Sequence, residues 1–195
     1  GWIKLYNLTE DGREIVTGMA TRGDVMGDLS IFDGSRHTFS ATVAENARVV
    51  EIPAVVLRER ALGNPGLTAI IVGLITRNLH NLRIENAHLT SMDAPQRLSC
   101  LLLRLSAGMV GQGGTFSLPY DKSIMAAQLG LDPATLSRTF TKLKERGVTN
   151  KGSEIHIRDF SMLSVGCCMH CPVPKCACSR RYNPVKAEDK IVGSS

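Results

Sequence analysis

The sequence predicts an α+β protein in which an antiparallel β-domain is followed by one long helix and then by a small winged helix-turn-helix domain. Three observations support this prediction. Turn signals recur about every eight to twelve residues through 1–62. Apolar residues then take a helical period over 66–91, and 121–158 combines two short helices with a β-hairpin. With 195 residues, 43% of them hydrophobic and 21% charged, the chain can bury the cores of one or two small domains.

Short strands are predicted throughout residues 1–62. Gly1–Tyr6 alternates apolar and polar residues, and a glycine turn separates it from Glu14–Met19. Phe39–Val43 and Arg48–Ile52 supply two further strands. This pattern is typical of an antiparallel sandwich or roll. Because the chain opens abruptly within a strand, we expect its true N-terminus to lie outside this sequence.

A single apolar stripe predicts a long helix over 66–91. Its members recur at helical spacing and are Ile71, Ile75, Leu79, Leu82 and Leu89. A helix of roughly 25 residues spans about 40 Å, which is long for a small domain. The stripe approximates a heptad, so a coiled-coil homodimer is expected, although packing against the chain's own β-domain is the alternative. Asp93-Ala94-Pro95 ends this helix, and Gln96–Ala107 forms the next.

Residues 121–146 have the pattern of a helix-turn-helix. Lys122–Leu129 forms the first helix, Gly130-Leu131 the turn, and Asp132 caps a second helix over Pro133–Arg146. The outward face of this second helix is polar and carries Thr135, Ser137, Arg138, Thr141 and Lys142. Short polar groups and an arginine near the N-terminus of such a helix suit base edges in a DNA major groove.

A β-hairpin after the helix-turn-helix has a basic tip at Lys151-Gly152-Ser153 and forms the wing. Lys and Arg number 11 against 11 Asp and Glu in residues 1–120, but 12 against 7 in residues 121–195. The basic surplus therefore lies in the part predicted to meet double-stranded DNA. No apolar run approaches the ~18 residues of a membrane span, so no membrane partner is expected.

Five of the six cysteines fall within twelve residues: Cys167, Cys168, Cys171, Cys176 and Cys178. Three of them form the spacing C-x2-C-P-x3-C, in which thiolates can hold corners of an iron–sulfur cubane. Zinc is the alternative, with His170 or a further cysteine completing four ligands. A thiol–disulfide oxidoreductase using Cys168 and Cys171 is a remote third possibility, because no thioredoxin-like pattern surrounds them. Cys100 lies on an apolar helix face and is expected in a core.

Several motifs together resemble one family over about residues 1–160. They are Gly1–Tyr6, Glu10–Glu14, Gly23–Leu29, Val50–Pro53 and Leu131–Arg138. In this order they resemble the cyclic-AMP receptor protein/fumarate-nitrate regulator (CRP/FNR) family of bacterial transcription regulators. The resemblance implies a β-roll of cyclic-nucleotide-binding type that lacks roughly its first 45 residues here. It also implies a cytoplasmic, non-enzymatic homodimer that works with RNA polymerase.

The expected domains are a partial β-roll over 1–62, a dimerisation helix over 63–94, a winged helix over 95–160 and a cysteine-rich tail over 161–195. Two residues depart from the family's pattern. Phe39 stands where cyclic-nucleotide binders have the arginine that grips the phosphate, so no cyclic nucleotide is expected to bind. Ala134 stands where the family often has a base-contacting glutamate, which leaves the operator sequence undefined.

The tail adds a second resemblance, to family members that hold an oxygen-labile 4Fe–4S cluster through C-terminal cysteines. Cys168, Cys171 and Cys176 match that spacing, and the resemblance implies a fourth ligand near the end of the long helix. The candidates for this ligand are Asp93, His88, Glu85, Cys167 and Cys178. The expected function is DNA binding controlled by oxygen or redox state. The alternative is a regulator that senses haem or nitric oxide through the β-roll, with a structural zinc in the tail.

Overall fold

The computed structural model describes residues 1–106, 113–164 and Cys167. An antiparallel sheet in the order β2-β1-β3 begins the chain. Its strands are β1 (Trp2–Leu8), β2 (Glu14–Ala20) and β3 (Ser40–Glu45), and the short helix α1 (Ser30–Asp33) precedes β3. Ile3 of β1 lies opposite Ala20 and Val43 of the flanking strands. None of the helices in the described ranges is long and apolar enough to cross a membrane.

Two expectations for the β-domain are wrong. Arg48–Ile52 forms no strand, and residues 54–62, which were assigned to strands with the rest of 1–62, form the helix α2 (Ala54–Leu62). A strand needs a neighbour for its backbone hydrogen bonds, and no described strand pairs with Arg48–Ile52. Helix α2 forms because Ala61 can bury against Ile31 and Ile71.

The long helix is confirmed as α3 (Pro65–Ser91), with 27 residues. The side chain of Asn64 caps it by accepting a hydrogen bond from the backbone N–H of Leu67 at 3.1 Å. Within the predicted stripe Ile71 is buried, whereas Leu79, Leu82 and Leu89 are each about half exposed in the single chain. The C-terminal part of the stripe therefore presents apolar surface that the described part of the chain does not cover.

The C-terminal domain packs four helices against a small sheet of order β4-β6-β5. Its elements are α4 (Ala94–Leu105), β4 (Gly114–Ser117), α5 (Lys122–Gln128), α6 (Pro133–Leu143), β5 (Val148–Lys151), β6 (Glu154–Ile157) and α7 (Phe160–Ser164). One core joins them and includes Leu98, Leu102, Met125, Leu143, Ile155 and Leu163. The helix-turn-helix and the wing are thus confirmed, whereas β4 and α7 were not predicted. Lys144–Arg146 continues α6 as a single 3-10 turn.

The two halves of the chain meet across the end of α3. Trp2 of β1 packs edge-to-face on Tyr120, with ring centroids 5.5 Å apart. Arg104 of α4 pairs with Glu85 of α3 at 3.2 Å. Burial raises the pKa of the Tyr120 hydroxyl above its usual value, and that hydroxyl donates to Gln128 Oε1 at 2.8 Å. The β-domain therefore rests directly on the C-terminal domain.

We predict that replacing Leu143 by alanine destabilises the C-terminal domain by about 2–5 kcal/mol, because the side chain is completely buried and leaves a cavity. Urea unfolding monitored by circular dichroism measures this change. Leu62→Ala is the matched control, since Leu62 is 79% exposed and its truncation should change the free energy of unfolding by about 0.5 kcal/mol or less. Equal losses in the two variants would contradict the packing described here.

Candidate nucleic-acid interface

The turn between α5 and α6 is fixed by backbone geometry. Gly130 has a φ of +63°, a left-handed conformation that glycine adopts without strain. The N–H of Leu131 then donates to the carbonyl of Ala126 at 2.9 Å, which closes the turn. A Cβ on Gly130 would lie 3.4 Å from Leu89 Cδ2, so the turn sits against the last part of α3. Glycine here sets the angle between the two helices and their distance from α3.

A side-chain cap starts α6. Asp132 Oδ1 accepts from the backbone N–H of Thr135 at 2.8 Å, and Oδ2 accepts from the Thr135 hydroxyl at 2.6 Å. The Thr135 hydroxyl bond, followed by the backbone bond, lowers the pKa of Asp132 below its ordinary value of 3.8. Thr135 was predicted to face DNA, and it is half-buried with its hydroxyl proton committed to this cap. Thr135 therefore helps to orient the first turn of α6.

The two faces of α6 differ sharply. Leu136, Phe140 and Leu143 are buried in the domain core. The remaining predicted contact residues on this helix, Ser137, Arg138, Thr141 and Lys142, are all exposed together with Ala134. The Thr141 hydroxyl donates back to the Ser137 carbonyl at 3.2 Å, which leaves Arg138 and Lys142 as the long, charged groups of this face. An exposed cationic face on a helix anchored by its other side suits insertion into a groove lined by phosphates.

The wing stands beside this face. Lys151 and Glu154 are partners in the β5–β6 ladder, and Gly152 takes a φ of +59° at the tip. Lys151 is exposed, as predicted. A cleft between α5, α6 and β5 is lined in part by Lys122, Lys144 and Asn150. These three residues were missed from sequence because they lie outside the periodic face of α6, although the basic surplus of this region was a signal for the two lysines.

The β-domain contains the loop at which cyclic nucleotides were not expected to bind. Asp28 Oδ2 accepts a hydrogen bond from Asn78 Nδ2 of α3 at 2.9 Å. The Phe39 ring lies 5.7 Å from the ring of His37. Phe39, the residue expected at the position of a phosphate clamp, thus contacts a second aromatic ring. The absence of cyclic-nucleotide binding stays a prediction.

The predicted metal ligands lie partly inside and partly outside the described residues. Cys168, Cys171, Cys176 and Cys178 lie outside the described residues. Cys167 is half-buried, and its Sγ donates to the Leu163 carbonyl at 3.5 Å. Glu85 is paired with Arg104, and Asp93 caps α4 by accepting from the Gln96 N–H at 2.8 Å. His88 Nε2 is buried without a hydrogen-bond partner in the described structure. Over the described ranges, no three His, Cys, Asp or Glu side chains converge to hold a metal ion.

We predict that Asp132→Ala lowers the melting temperature at neutral pH by removing the cap of α6. The pKa of Asp132 is lowered in the folded state, so the carboxylate contributes stability above its ordinary pKa of 3.8. That contribution is lost as the pH falls through the folded pKa. The difference in melting temperature from wild type should therefore shrink in acid, as circular dichroism between about pH 7 and pH 3 can measure.

Asp121→Ala provides the matched control for this prediction. Asp121 holds the N-cap position of α5 but makes no side-chain cap hydrogen bond there. Its removal should lower the melting temperature less than that of Asp132 at neutral pH. A pH-independent effect of Asp132→Ala would show that the cap acts through shape alone and not through the carboxylate charge.

Comparison with known proteins matches both halves of the chain. Residues 96–165 match the Crp-like helix-turn-helix domain, and residues 1–62 match the cyclic nucleotide-binding domain. The transcriptional activator protein Anr of Pseudomonas protegens is 30% identical over 163 residues, which are 82% of this chain and 66% of Anr. Electron transport regulator A of Shewanella oneidensis is 30% identical over 169 residues, which are 85% of this chain and 67% of the relative. The chain thus spans about two thirds of the length of these relatives.

The fold also matches solved structures. FixK2 from Bradyrhizobium japonicum aligns with a TM-score of 0.70 over 86% of this chain and 84% of FixK2, at 20% identity, which shows a shared fold. The matched relatives are named as regulators, in agreement with the prediction that the chain is not an enzyme. By its two domains, their order and its curated relatives, the chain belongs to the CRP/FNR family of transcription regulators.

Proposed function

We propose that this protein is a homodimeric transcription regulator that binds duplex DNA through α6 and the wing, acts together with RNA polymerase, and responds to oxygen or a related oxidant through a C-terminal iron–sulfur cluster. The observation that supports DNA binding most strongly is the exposed cationic face of α6, with Arg138 at the middle of the helix. A guanidinium in that position can bond both O6 and N7 of a guanine, which is the commonest base-specific contact between proteins and DNA.

The exposed part of the α3 stripe supports dimerisation. Leu79, Leu82 and Leu89 lie on one side of the helix, at a spacing of three and seven residues, and each is about half exposed in the single chain. Apolar side chains in such a row are stabilised by packing against the same row of a second α3. Two copies joined in this way carry two α6 helices, which suits a palindromic site with half-sites about one DNA turn apart.

The cysteine spacing supports an iron–sulfur cluster in the tail. Cys168, Cys171 and Cys176 would hold it, since thiolates are soft ligands suited to iron–sulfur clusters or zinc. Asp93 and Glu85 each make an interaction that ligation would break, the α4 cap and the pair with Arg104. His88, Cys167 and Cys178 are the other candidates for the fourth position. When bound, such a cluster can be destroyed by oxygen, and this would make the tail sensitive to oxygen.

The start of the tail lies close to the DNA-binding domain, and this supports a coupling between the two. Cys167 packs against the same core that holds α6, and its backbone N–H donates to the Ser164 carbonyl at 3.1 Å. A tail fixed by ligands would therefore restrain α7 and that core, whereas a released tail would not. DNA affinity would then follow the difference in population between the two states. Electron transport regulator A, whose name refers to electron transport, fits a redox signal of this kind.

We predict that Arg138→Ala weakens specific DNA binding by roughly 1–3 kcal/mol and relaxes specificity at one base pair in each half-site. Lys142→Ala is the matched control: as a phosphate contact it should weaken binding to all sequences alike and reduce the salt dependence by about one counterion. Fluorescence anisotropy with a selected operator and its single-base variants measures both effects. A uniform loss in Arg138→Ala, with specificity intact, would refute its role in base recognition.

We predict that anaerobic reconstitution gives about four irons and four acid-labile sulfides per chain. Serine at Cys168, Cys171 or Cys176 should abolish the cluster, whereas serine at Cys100, which is buried in the domain core, should not. Iron and sulfide analysis with the visible absorption spectrum measures this. One zinc per chain without labile sulfide would overturn the cluster and favour the alternative of a structural zinc with sensing in the β-domain. A cluster that survives air with unchanged DNA binding would remove its sensory role.

A further inference from the structure

Six positions of α3 form a heptad seam along one side of the helix. They alternate by three and four residues, which is the spacing of the a and d positions in a two-stranded coiled coil. The a positions are Val72, Leu79 and Asn86, and the d positions are Ile75, Leu82 and Leu89. Four of the five apolar members are between 49% and 58% exposed in the single chain, and Asn86 is exposed as well. The seam is therefore open along most of its length.

The neighbouring side of α3 is held by the chain's own domains. Ile71 is buried in a cluster with residues of α1 and α2. The Asn78 amide donates to Asp28, in the loop before α1, at 2.9 Å. Glu85 pairs with Arg104 of α4 at 3.2 Å. These three residues of α3 are the g positions of successive heptads, so the seam cannot turn inward without breaking all three contacts.

Asn86 is the polar member of the seam. In the described part of the chain its side-chain amide makes no hydrogen bond. Burying an amide between apolar side chains without a partner costs free energy. In two parallel helices in register, each Asn86 faces the same residue of the second copy, and one amide can donate to the oxygen of the other. This arrangement therefore satisfies the amide that the seam would otherwise bury unpaired.

Other pairings of the same seam leave the amide without a partner. In a parallel pair shifted by one heptad, Asn86 of one copy would face Leu79 of the other. In an antiparallel pair centred on the seam, it would face Ile75. Neither of these side chains can donate or accept a hydrogen bond. The polar position thus disfavours both alternatives, whereas the apolar positions pack in all three arrangements.

The charges beside the seam are compatible with two parallel copies in register. No charged residue occupies the six seam positions. Arg83 at position e falls opposite the neutral Asn78 at position g of the second copy, and Glu85 falls opposite Thr90. Parallel pairing therefore brings no like charges together.

We propose that Asn86 determines the geometry of the homodimer, by pairing with its counterpart in a second copy and so selecting two parallel helices in register. This inference rests on the dimer proposed above and assigns its orientation to one residue. Because α3 leads directly into α4, parallel helices place both C-terminal domains at the same end of the dimer. The two α6 helices can then meet one DNA duplex.

The test compares the full wild-type chain with Asn86→Leu. Sedimentation equilibrium measures the oligomeric state and the dissociation constant. For the orientation, the photoreactive amino acid p-benzoyl-phenylalanine replaces Thr76, an exposed residue beside the seam, in both proteins. Tryptic peptides from mixtures of isotope-labelled and unlabelled protein then identify cross-links between copies. Parallel helices place position 76 near the N-terminal half of the second α3, and antiparallel helices place it near the C-terminal half.

Wild-type protein should be a dimer with cross-links to the N-terminal half of α3. Asn86→Leu should tighten association by about tenfold or more, because an apolar side chain replaces the amide. It should also lose specificity, forming both orientations or assemblies larger than a dimer. His80→Leu is the matched control, since His80 is exposed at position b, away from the seam, and its replacement should change neither property.

The contrary outcomes separate this inference from the dimer itself. A wild-type chain that stays monomeric would overturn the dimer and this inference together. A wild-type antiparallel pair or larger assembly would overturn the role of Asn86 alone. The same holds if Asn86→Leu forms only parallel dimers, whatever their affinity, or if His80→Leu changes orientation to the same extent.

Discussion

The junction between α3 and α4 determines how the two halves of this protein are oriented. The Asp93 carboxylate accepts from the Gln96 N–H, and the Gln96 side chain accepts from the Asp93 N–H, so α4 begins with a closed capping box. Arg97, which follows Gln96, donates hydrogen bonds to two backbone carbonyls at the end of α3. The direction of α4 relative to α3 is therefore fixed by a few hydrogen bonds within about ten residues. Every later element of the C-terminal domain packs on α4 or on its neighbours.

Helix α6 depends on this arrangement through its buried side. Leu136, Phe140 and Leu143 join Leu98 and Leu102 of α4 in one core, so α6 cannot move without disturbing α4. Its polar face is then presented outward by necessity, because the apolar stripe occupies the opposite side of the helix. Gly130 adds a contact between the turn and Leu89. The end of α3 and the turn before α6 therefore lie against each other.

The proposed cluster would act on the same part of the molecule. It would act from the tail, whose start at Cys167 packs on the core of the C-terminal domain. Because α4 and α6 share that core, a restraint on the start of the tail would reach both helices.

The sequence by itself determined the long helix, the helix-turn-helix and the exposed face of α6. These features depend on local patterns: the period of apolar residues, the Asp132 cap and the glycine turn at Gly130. The cysteine spacing likewise belongs to the sequence alone. The sequence did not predict strand β4, because a four-residue strand after a glycine-rich link is defined only by its pairing with β6. The strand predicted at Arg48–Ile52 is wrong for the same reason, because this segment has an apolar pattern but no neighbouring strand with which to pair.

Only the tertiary structure decided the contacts between distant segments. The half-buried position of Thr135 and the Asp28–Asn78 bond depend on geometry that no local pattern encodes. The cleft between β2, α3, α4 and α5 is the clearest case, because these elements contribute to it from far apart in sequence. Arg104 pairs with Glu85 of α3, whereas Arg97 donates to backbone carbonyls at the end of the same helix. Local physical chemistry thus sets the elements, and long-range packing sets which charged groups become partners.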